Sequence, residues 1–280
     1  MDNIVTGSTR VAGIFGYPVE HTLSPCMHNA AFRHLAMNMC YLPFLVAPEM
    51  LKDAVAGLKA MRMTGVNITL PHKENVIPML DSVDSEALLI GAVNTIVNDN
   101  GKLTGYNTDG RGFMKSLEEA GIRSEGKNVL ILGAGGAARA VGFNICKEAA
   151  KVFIASRTAE RASELCSSLN RIRNNALCIS LQDAGSANIL DKTDIIINTT
   201  PLGLKEGDPL PFDASGISGR HVVCDLIYKK TGLLKAAEQK NARAIDGSGM
   251  LLWQGVISFE LWTGLKAPVD VMRRALKKSS

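Results

Sequence analysis

Residues 129–138 read Val-Leu-Ile-Leu-Gly-Ala-Gly-Gly-Ala-Ala, a short apolar run followed at once by a glycine-rich turn. A helix-type sequence comes next, so the G-x-G-x-x-A pattern has the strand-to-helix context that gives it meaning. There, glycines permit a tight turn and close approach of backbone N–H groups to a pyrophosphate, and the helix N-terminus adds a partial positive charge. The stretch predicts a dinucleotide site formed by Gly133, Ala134, Gly135, Gly136, Ala137 and Ala138.

The residues after the next predicted strand, 151–155, indicate which dinucleotide is bound. They are Ser156, Arg157 and Thr158, with Arg161 one helical turn further on. The acidic residue that an NAD site places here for the ribose 2′-hydroxyl is missing, whereas arginine pairs well with a 2′-phosphate. The sequence therefore predicts NADP as cofactor. The alternative is that the two arginines are only solvated surface charges.

The second half of the chain alternates short apolar segments with helical ones, which is the rhythm of a parallel, doubly wound sheet. We predict strands at 128–132, 151–155, 176–180, 194–199, 221–226 and 243–245. The polar, glycine-containing stretch 121–127 is the clearest break in composition. Residues 110–249 are assigned to this Rossmann-type, NADP-binding domain.

Residues 1–109 are predicted to form a separate N-terminal α/β domain, because β-type and helical segments alternate there as well. We expect Ser24 to be the N-cap of a helix with Pro25 at its first position. The expected strands are 11–15, 41–46, 66–69, 92–97 and 102–106, the last two forming an edge hairpin around 98–101. The expected helices are 49–61, a short one after Pro71, 110–120, and two in the tail 249–278, broken near 264–268.

Composition excludes several classes of protein. The chain has 280 residues, 46% of them hydrophobic, and a net charge of +4 without any long run of like charge, which favours neither a nucleic-acid nor a membrane partner. Six scattered cysteines without metal-ligand spacing are expected to be reduced and mostly buried, and no metal is predicted. The N-terminus Met1-Asp2-Asn3 does not resemble a secretory leader, so we expect a cytoplasmic protein. A homodimer is left open.

Two polar clusters follow predicted strands of the first domain. Residues 67–73 place Lys73 beyond a strand end and a proline, and residues 105–110 contain Asp109. Ligands of α/β sheets bind at the carboxyl ends of strands, so both residues are candidates for a site. Each also has an ordinary explanation, since Lys73 could lie on the surface and Asp109 could merely cap the helix beginning at Gly110.

Together these motifs resemble the shikimate dehydrogenase family over nearly the whole chain. The matching segments are 16–25, 67–73, 91–95, 105–110, 133–138, 157–158, 198–201, 225–228 and 246–254. The resemblance implies two α/β domains with an active-site cleft between them, the first completed by C-terminal helices at about 250–280. It also implies reversible, NADPH-dependent reduction of 3-dehydroshikimate to shikimate, a step towards chorismate and the aromatic amino acids.

The resemblance further implies roles for individual residues. Lys73 and Asp109 match the family's catalytic pair; because lysine is ordinarily protonated at neutral pH, we expect Lys73 to act chiefly as proton donor in the reducing direction. Other matching positions concern the small-molecule substrate: its carboxylate at Thr22 and Ser24, its hydroxyls at Thr69, Asn94 and Asn107, and its other side at Tyr228 and Gln254. The remaining cofactor positions implied are Thr199, Leu226, Gly247 and Met250.

Some positions depart from the family or invite other interpretations. Thr22 stands where serine is frequent and Ser156 where asparagine is frequent, so their contacts are carried over less firmly. His21 and His72 are expected to be structural, and Trp253 and Trp262 to pack the tail. One rival function is a quinate or dual quinate/shikimate dehydrogenase, which must accept an extra hydroxyl beside the carboxylate. A second rival is a non-catalytic NADP-binding sensor.

Overall fold

The structure is a computed structural model that describes residues 5–279. Residues 1–4, on which the argument against a secretory leader depends, lie outside the described part of the chain. The chain forms two compact units, Met1–Gly112 with Leu252–Ser280, and Phe113–Leu251. We call them the first and the second unit. The first unit is thus built from two separate stretches of sequence.

Strands and helices alternate along most of the chain, with short 3₁₀ turns at Pro48–Met50, Ile77–Met79 and Asp183–Gly185. In chain order the elements are β1 (Arg10–Gly16), α1 (Ser24–His34), β2 (Met39–Leu45), α2 (Leu51–Ala60), β3 (Gly65–Ile68), β4 (Ser82–Val83), α3 (Ser85–Ile90), β5 (Thr95–Asp99), β6 (Lys102–Tyr106), α4 (Asp109–Glu119), β7 (Asn128–Leu132), α5 (Gly136–Glu148), β8 (Lys151–Ala155), α6 (Ala159–Asn170), β9 (Ala176–Ile179), α7 (Ala187–Leu190), β10 (Ile195–Asn198), β11 (Val222–Asp225), α8 (Gly232–Gln239), β12 (Arg243–Ile245), α9 (Ser248–Thr263) and α10 (Val269–Ser279).

The sheet of the second unit has the strand order β12-β11-β10-β7-β8-β9, and every neighbouring pair is parallel. From β7 the chain builds outward to one edge and then returns to build towards the other. This is the doubly wound arrangement predicted from the sequence. Strands β7, β8 and β12 have the predicted bounds, and the other three are shorter by one residue at one or both ends.

The sheet of the first unit is mixed, with the order β2-β1-β3-β5-β6-β4. Strands β1, β2 and β3 are parallel, whereas β5 runs antiparallel to β3 and to β6. The predicted hairpin is present, and Asn100 and Gly101 at its turn both have positive φ, at 51° and 94°. It is not at the edge, however, because the two-residue strand β4 pairs outside β6. A strand this short leaves no readable pattern.

Three local predictions for the first unit are wrong. Ser24 is the first residue of α1 rather than its cap, because Leu23 holds the N-cap position and no side chain caps the helix. The helix expected after Pro71 is only the 3₁₀ turn Ile77–Met79, and α3 begins later, where Asp84 caps it. Residues 92–94 are not part of β5, because Val93 donates its N–H to the carbonyl of Lys73.

All six cysteines are free, and Cys146, Cys166 and Cys224 are buried. Cys178 on β9 is exposed, so the expectation of mostly buried thiols holds for only half of them. Within residues 5–279, no helix is both long and apolar enough to cross a membrane. The same residues contain no group of three metal-ligating side chains.

An aromatic cluster forms part of the core of the first unit. The ring of His28 stacks on Tyr41 at 4.5 Å between centroids and lies 5.3 Å from Trp262. Trp262 also donates its indole N–H to the Ile96 carbonyl, so it packs the tail as predicted. His28 is fully buried and neither of its ring nitrogens has a hydrogen-bond partner. Burial without a partner lowers the pKa of His28 from 6.5 to about 3.

We expect acid to destabilise the first unit partly through His28. The unfolded chain takes up a proton below pH 6.5, whereas the folded chain leaves this ring neutral down to about pH 3. The contribution of His28 to stability is therefore complete above pH 6.5 and is lost as the pH falls. Between pH 7.5 and 4.5 the free energy of unfolding should drop by about 2–3 kcal/mol from this group.

Urea unfolding followed by tryptophan fluorescence measures this loss, because Trp253 and Trp262 both lie in the first unit. His28→Leu, which cannot titrate, should lose less stability over the same pH range than the parent. An identical acid dependence in the two proteins would contradict the assignment.

Candidate active site

Lys73 and Asp109 form an ion pair in the first unit, with 2.5 Å between the lysine Nζ and the carboxylate Oδ2. The two side chains are only 15% and 6% exposed. A charge-assisted hydrogen bond of this length in a mostly buried place holds both groups in one geometry. Lys73 is therefore not the surface lysine that the sequence alone allowed it to be.

The segment that carries Lys73 is anchored at several points. The turn after β3 is held by the bond from the His72 N–H to the Thr69 carbonyl and by the one from Val93 to the Lys73 carbonyl. The His72 ring is fully buried, and its Nε2 lies 2.8 Å from the Val46 carbonyl oxygen. His72 is thus structural, as predicted.

Asp109 is held from the opposite side by Asn94 and Asn107. The Asn94 amide nitrogen donates to Asp109 Oδ1 over 2.8 Å, and the Asn107 side-chain oxygen accepts the Asp109 backbone N–H over 3.1 Å. Asp109 is itself the first residue of α4. The carboxylate is thus engaged with Asn94 and Lys73, which argues against its being merely a helix cap.

The other predicted substrate residues of the first unit lie in turns and helices with contacts of their own. Ser24 is buried near the Tyr41 hydroxyl, which donates to Asn67. Thr22, half-buried, accepts the Ser24 backbone N–H over 3.3 Å. Thr69 is part of the turn that precedes Lys73. Gln254 on α9 lies against α4, since a Cβ on Gly112 would meet its backbone nitrogen at 2.6 Å.

Four buried polar residues were not among the predicted site residues: Asn67, Thr95, Thr108 and Ser258. They bond to one another and to Asn94. A signal existed for one of them, because Asn67 is a carboxamide in β3, a strand whose four residues are all buried. Ser258 gave none, since a lone serine in a helix is ordinarily unremarkable.

The glycine-rich turn of the second unit leads from β7 into α5 as predicted. Gly133 has φ of +111°, and a Cβ there would meet the Thr199 hydroxyl at 2.4 Å, so the position requires glycine. At Gly135, by contrast, a Cβ would find nothing within 4 Å. Helix α5 has no side-chain cap and no acidic residue in its first turn. Open space before uncapped N–H groups fits a pyrophosphate.

Several predicted cofactor residues share the carboxyl edge of the second sheet with this turn. Thr199 follows β10 and donates its hydroxyl to the Leu132 carbonyl over 2.6 Å. Leu226 follows β11, and its N–H bonds to the Asn198 carbonyl. Gly247 follows β12, and a Cβ there would lie 2.1 Å from the Leu226 oxygen. The loops pack so closely here that a side chain at Gly247 has no room.

A buried carboxylate supports these loops. Asp225 at the end of β11 accepts bonds from Asn198, from Thr231 and from the backbone of Ile227. Its burial raises the pKa of the carboxyl, and these donors oppose that rise. Tyr228 follows in the same loop and is half-buried, which raises the pKa of its phenol.

The arginines predicted to select NADP follow β8 at the same edge of the sheet. Arg157 and Arg161 are exposed, as is Thr158, and Ser156 is half-buried with its hydroxyl accepting the Thr158 N–H over 3.3 Å. Exposed guanidinium groups beside a phosphate-binding turn suit a 2′-phosphate. Met250, on the first turn of α9, is buried.

The fold and the sites define a class: an α/β oxidoreductase with a dinucleotide-binding sheet and a lysine–carboxylate pair. Sequence models of three families match the chain. "Shikimate dehydrogenase substrate binding domain" matches residues 14–96, "Shikimate / quinate 5-dehydrogenase" residues 116–202, and "Shikimate 5′-dehydrogenase C-terminal domain" residues 247–277.

Known proteins are similar over almost the full length. A curated shikimate dehydrogenase (NADP(+)) of Desulforamulus reducens is 46% identical, covering 98% of this chain and 97% of the relative. The crystal structure of shikimate dehydrogenase from Aquifex aeolicus has a TM-score of 0.92 at 43% identity, covering 98% and 100% of the two chains. The shikimate 5-dehydrogenase of Thermus thermophilus in complex with NADP(H) and shikimate has a TM-score of 0.87 at 33% identity, covering 97% and 100%. The chain belongs to the shikimate dehydrogenase family.

The same substitution should lower stability at Gly247 and leave it almost unchanged at Gly135. Gly247→Ala should lower the free energy of unfolding by about 1–3 kcal/mol, because its Cβ would overlap the Leu226 carbonyl. Gly135→Ala should stay within about 0.5 kcal/mol of the parent, since its Cβ meets open space at a φ of −89°. Urea unfolding of both variants measures the difference, and equal losses would contradict the close packing at Gly247.

Proposed function

We propose that this chain catalyses the reversible, NADPH-dependent reduction of 3-dehydroshikimate to shikimate, with Lys73 and Asp109 as catalytic residues. The observation that carries the proposal is the buried ion pair of 2.5 Å between the two side chains. Family membership supports the reaction, and the pair supplies the proton chemistry that it needs. A role in chorismate and aromatic amino acid biosynthesis follows, and such a role favours the cytoplasm.

The cofactor would be held by the second unit. Its pyrophosphate suits the turn 133–138 and the first N–H groups of α5, and its 2′-phosphate suits Arg157 and Arg161. When bound, NADPH supplies the hydride of the reaction. Other residues proposed to contact the cofactor are Ser156, Thr158, Thr199, Leu226, Gly247 and Met250.

The first unit would supply the proton. Adding a hydride to the carbonyl carbon moves the π electron pair onto oxygen, and that oxygen must gain a proton to become the alcohol. The ammonium group of Lys73 donates it, leaving a neutral amine that regains a proton from water. Asp109 keeps the ammonium in place through its Oδ2, while Asn94 holds its Oδ1. In the oxidising direction the same groups run in reverse.

The substrate is a small ring with a carboxylate and several hydroxyls, so it needs short polar side chains. We place its carboxylate at Thr22 and Ser24 and its hydroxyls at Thr69, Asn94 and Asn107. Tyr228 and Gln254 are proposed as further contacts. In this assignment residues 1–109 and the tail from about 250 bind substrate, and residues 110–249 bind NADP. A homodimer and the absence of a nucleic-acid partner remain predictions.

Initial rates with two substrates and two cofactors test the proposed reaction. We expect oxidation of shikimate with NADP⁺ to be at least about tenfold faster, in kcat/KM, than any other combination of shikimate or quinate with NADP⁺ or NAD⁺. The Thr22 methyl group and the two arginines are the reasons for this preference. Equal rates with quinate and NAD⁺ would favour the quinate dehydrogenase alternative. NADPH binding without any turnover would favour the non-catalytic sensor.

Replacing the proposed proton donor tests the catalytic pair. Lys73→Ala should lower kcat for reduction about 10²- to 10⁴-fold, the usual contribution of a positioned acid. Lys59→Ala is the matched control, because Lys59 also pairs with a carboxylate, that of Asp81, but is about 38% exposed and belongs to no proposed site. Near-parental turnover in Lys73→Ala would remove Lys73 from the mechanism. Comparing the pH–rate profiles of Lys73→Ala and Lys73→Arg shows whether the Lys73 ammonium group supplies the proton.

A further inference from the structure

We infer that Thr95 and Ser258 are positioning residues for the catalytic pair, acting through Asn94. This inference rests on the proposed function of Lys73 and Asp109. The hydroxyls of Thr95 and Ser258 lie 2.8 Å apart and are fully buried, although 163 positions separate them in sequence. Strand β5 supplies one and helix α9 the other.

The direction of the hydrogen bonds begins at Tyr41. Burial raises the pKa of its phenol well above 10, so the hydroxyl keeps its proton and donates it to Asn67 Oδ1 over 2.8 Å. The Asn67 amide nitrogen then faces three acceptors that share its two protons: the Asn94 carbonyl oxygen at 3.1 Å, the Thr95 hydroxyl at 3.1 Å and the Ser258 hydroxyl at 3.0 Å. Because an amide nitrogen does not accept hydrogen bonds, the protons of Thr95 and Ser258 must point to other partners.

This arrangement directs the Thr95 proton. The Thr95 proton has two acceptors in reach, Asn94 Oδ1 at 3.0 Å and the Ser258 oxygen at 2.8 Å. Ser258 gives its one proton to the Thr95 oxygen in this arrangement, which leaves the Thr95 proton for Asn94; the Gln254 carbonyl at 2.9 Å and the Thr108 hydroxyl at 3.3 Å are the other neighbours of Ser258. Each buried hydroxyl thus has both a donor and an acceptor nearby, as burial of polar groups requires.

The orientation of the Asn94 carboxamide follows. Its Oδ1 receives the Thr95 hydroxyl and the Thr108 backbone N–H, the latter over 2.8 Å. Its Nδ2 is then turned to Asp109 Oδ1, also 2.8 Å away. With the amide flipped, two oxygens would face each other at that distance and repel. Thr95 therefore helps to keep the donor on Asp109, which leaves Oδ2 to Lys73.

The effect on catalysis should exceed the effect on folding. Thr95→Val keeps the shape of the side chain and removes one of the two donors to Asn94 Oδ1, leaving the Thr108 backbone N–H in place. We expect kcat to fall about 10-fold, with KM for NADPH unchanged, since one hydrogen bond of about 1 kcal/mol corresponds to a factor of this order. Thr95→Ser, which restores the hydroxyl, should return kcat to within about twofold of the parent. Ser258→Ala should lower kcat about threefold, because Asn67 still donates to Thr95.

Matched controls separate positioning from general destabilisation. Thr193→Val removes another fully buried threonine hydroxyl, one that donates to the Ile189 carbonyl in the second unit. Ser116→Ala removes a buried helical serine hydroxyl that donates to the Phe113 carbonyl. Both control variants should keep the parental kcat even if they lose thermal stability. If they lose as much kcat as Thr95→Val and Ser258→Ala, the inference fails.

An NMR measurement on the ligand-free protein tests the same point without turnover. The side-chain amide signals of Asn94, assigned by their loss in Asn94→Leu, should show slow exchange with solvent in the parent and faster exchange in Thr95→Val. If Thr95→Val changes neither the exchange rate nor kcat, the inference about Thr95 is wrong, while the proposed function of the enzyme is unaffected. If the parent does not turn over 3-dehydroshikimate, the proposed function fails, and the exchange rates still decide whether Thr95 positions Asn94.

Discussion

The ion pair between Lys73 and Asp109 imposes the strictest requirement on the first unit. Two charges taken largely out of water lose hydration, and their attraction compensates only if the remaining hydrogen-bonding atoms are satisfied. Here Asp109 uses one oxygen for Lys73 at 2.5 Å and the other for Asn94 at 2.8 Å. The turn after β3, the loop before β5 and the start of α4 must therefore hold one relative geometry.

Helix α9 connects that polar layer to the apolar core. Ser258 reaches the buried hydroxyls, and Trp262, four residues and about one helical turn later, packs in the aromatic cluster with His28 and Tyr41. Tyr41 belongs to both groups, because its ring stacks on His28 while its hydroxyl donates to Asn67. Misplacing helix α9 would therefore disturb the polar site and the apolar core of the first unit together.

Sequence reasoning succeeded best where structure is local. The sheet of the second unit was predicted strand by strand, because its strands are short apolar runs separated by helices and by a turn in which Gly133 has positive φ. It failed in the first unit where distant partners decide. Ser24 looked like a cap but is buried near the Tyr41 hydroxyl, and residues 92–94 looked like strand but bond partly to the turn at Lys73.

The sequence by itself determined the parallel sheet, the phosphate-binding turn and the family, since these depend on neighbouring residues and on ordered motifs. It also named Lys73, Asp109, Asn94 and Asn107, whose contact the structure provides, while their catalytic and binding roles stay predictions. Only the tertiary structure decided that Thr95 and Ser258 meet beneath Asn94. Hydrogen-bond direction depends on which buried groups come together, and residues 163 positions apart carry no local sign of that meeting.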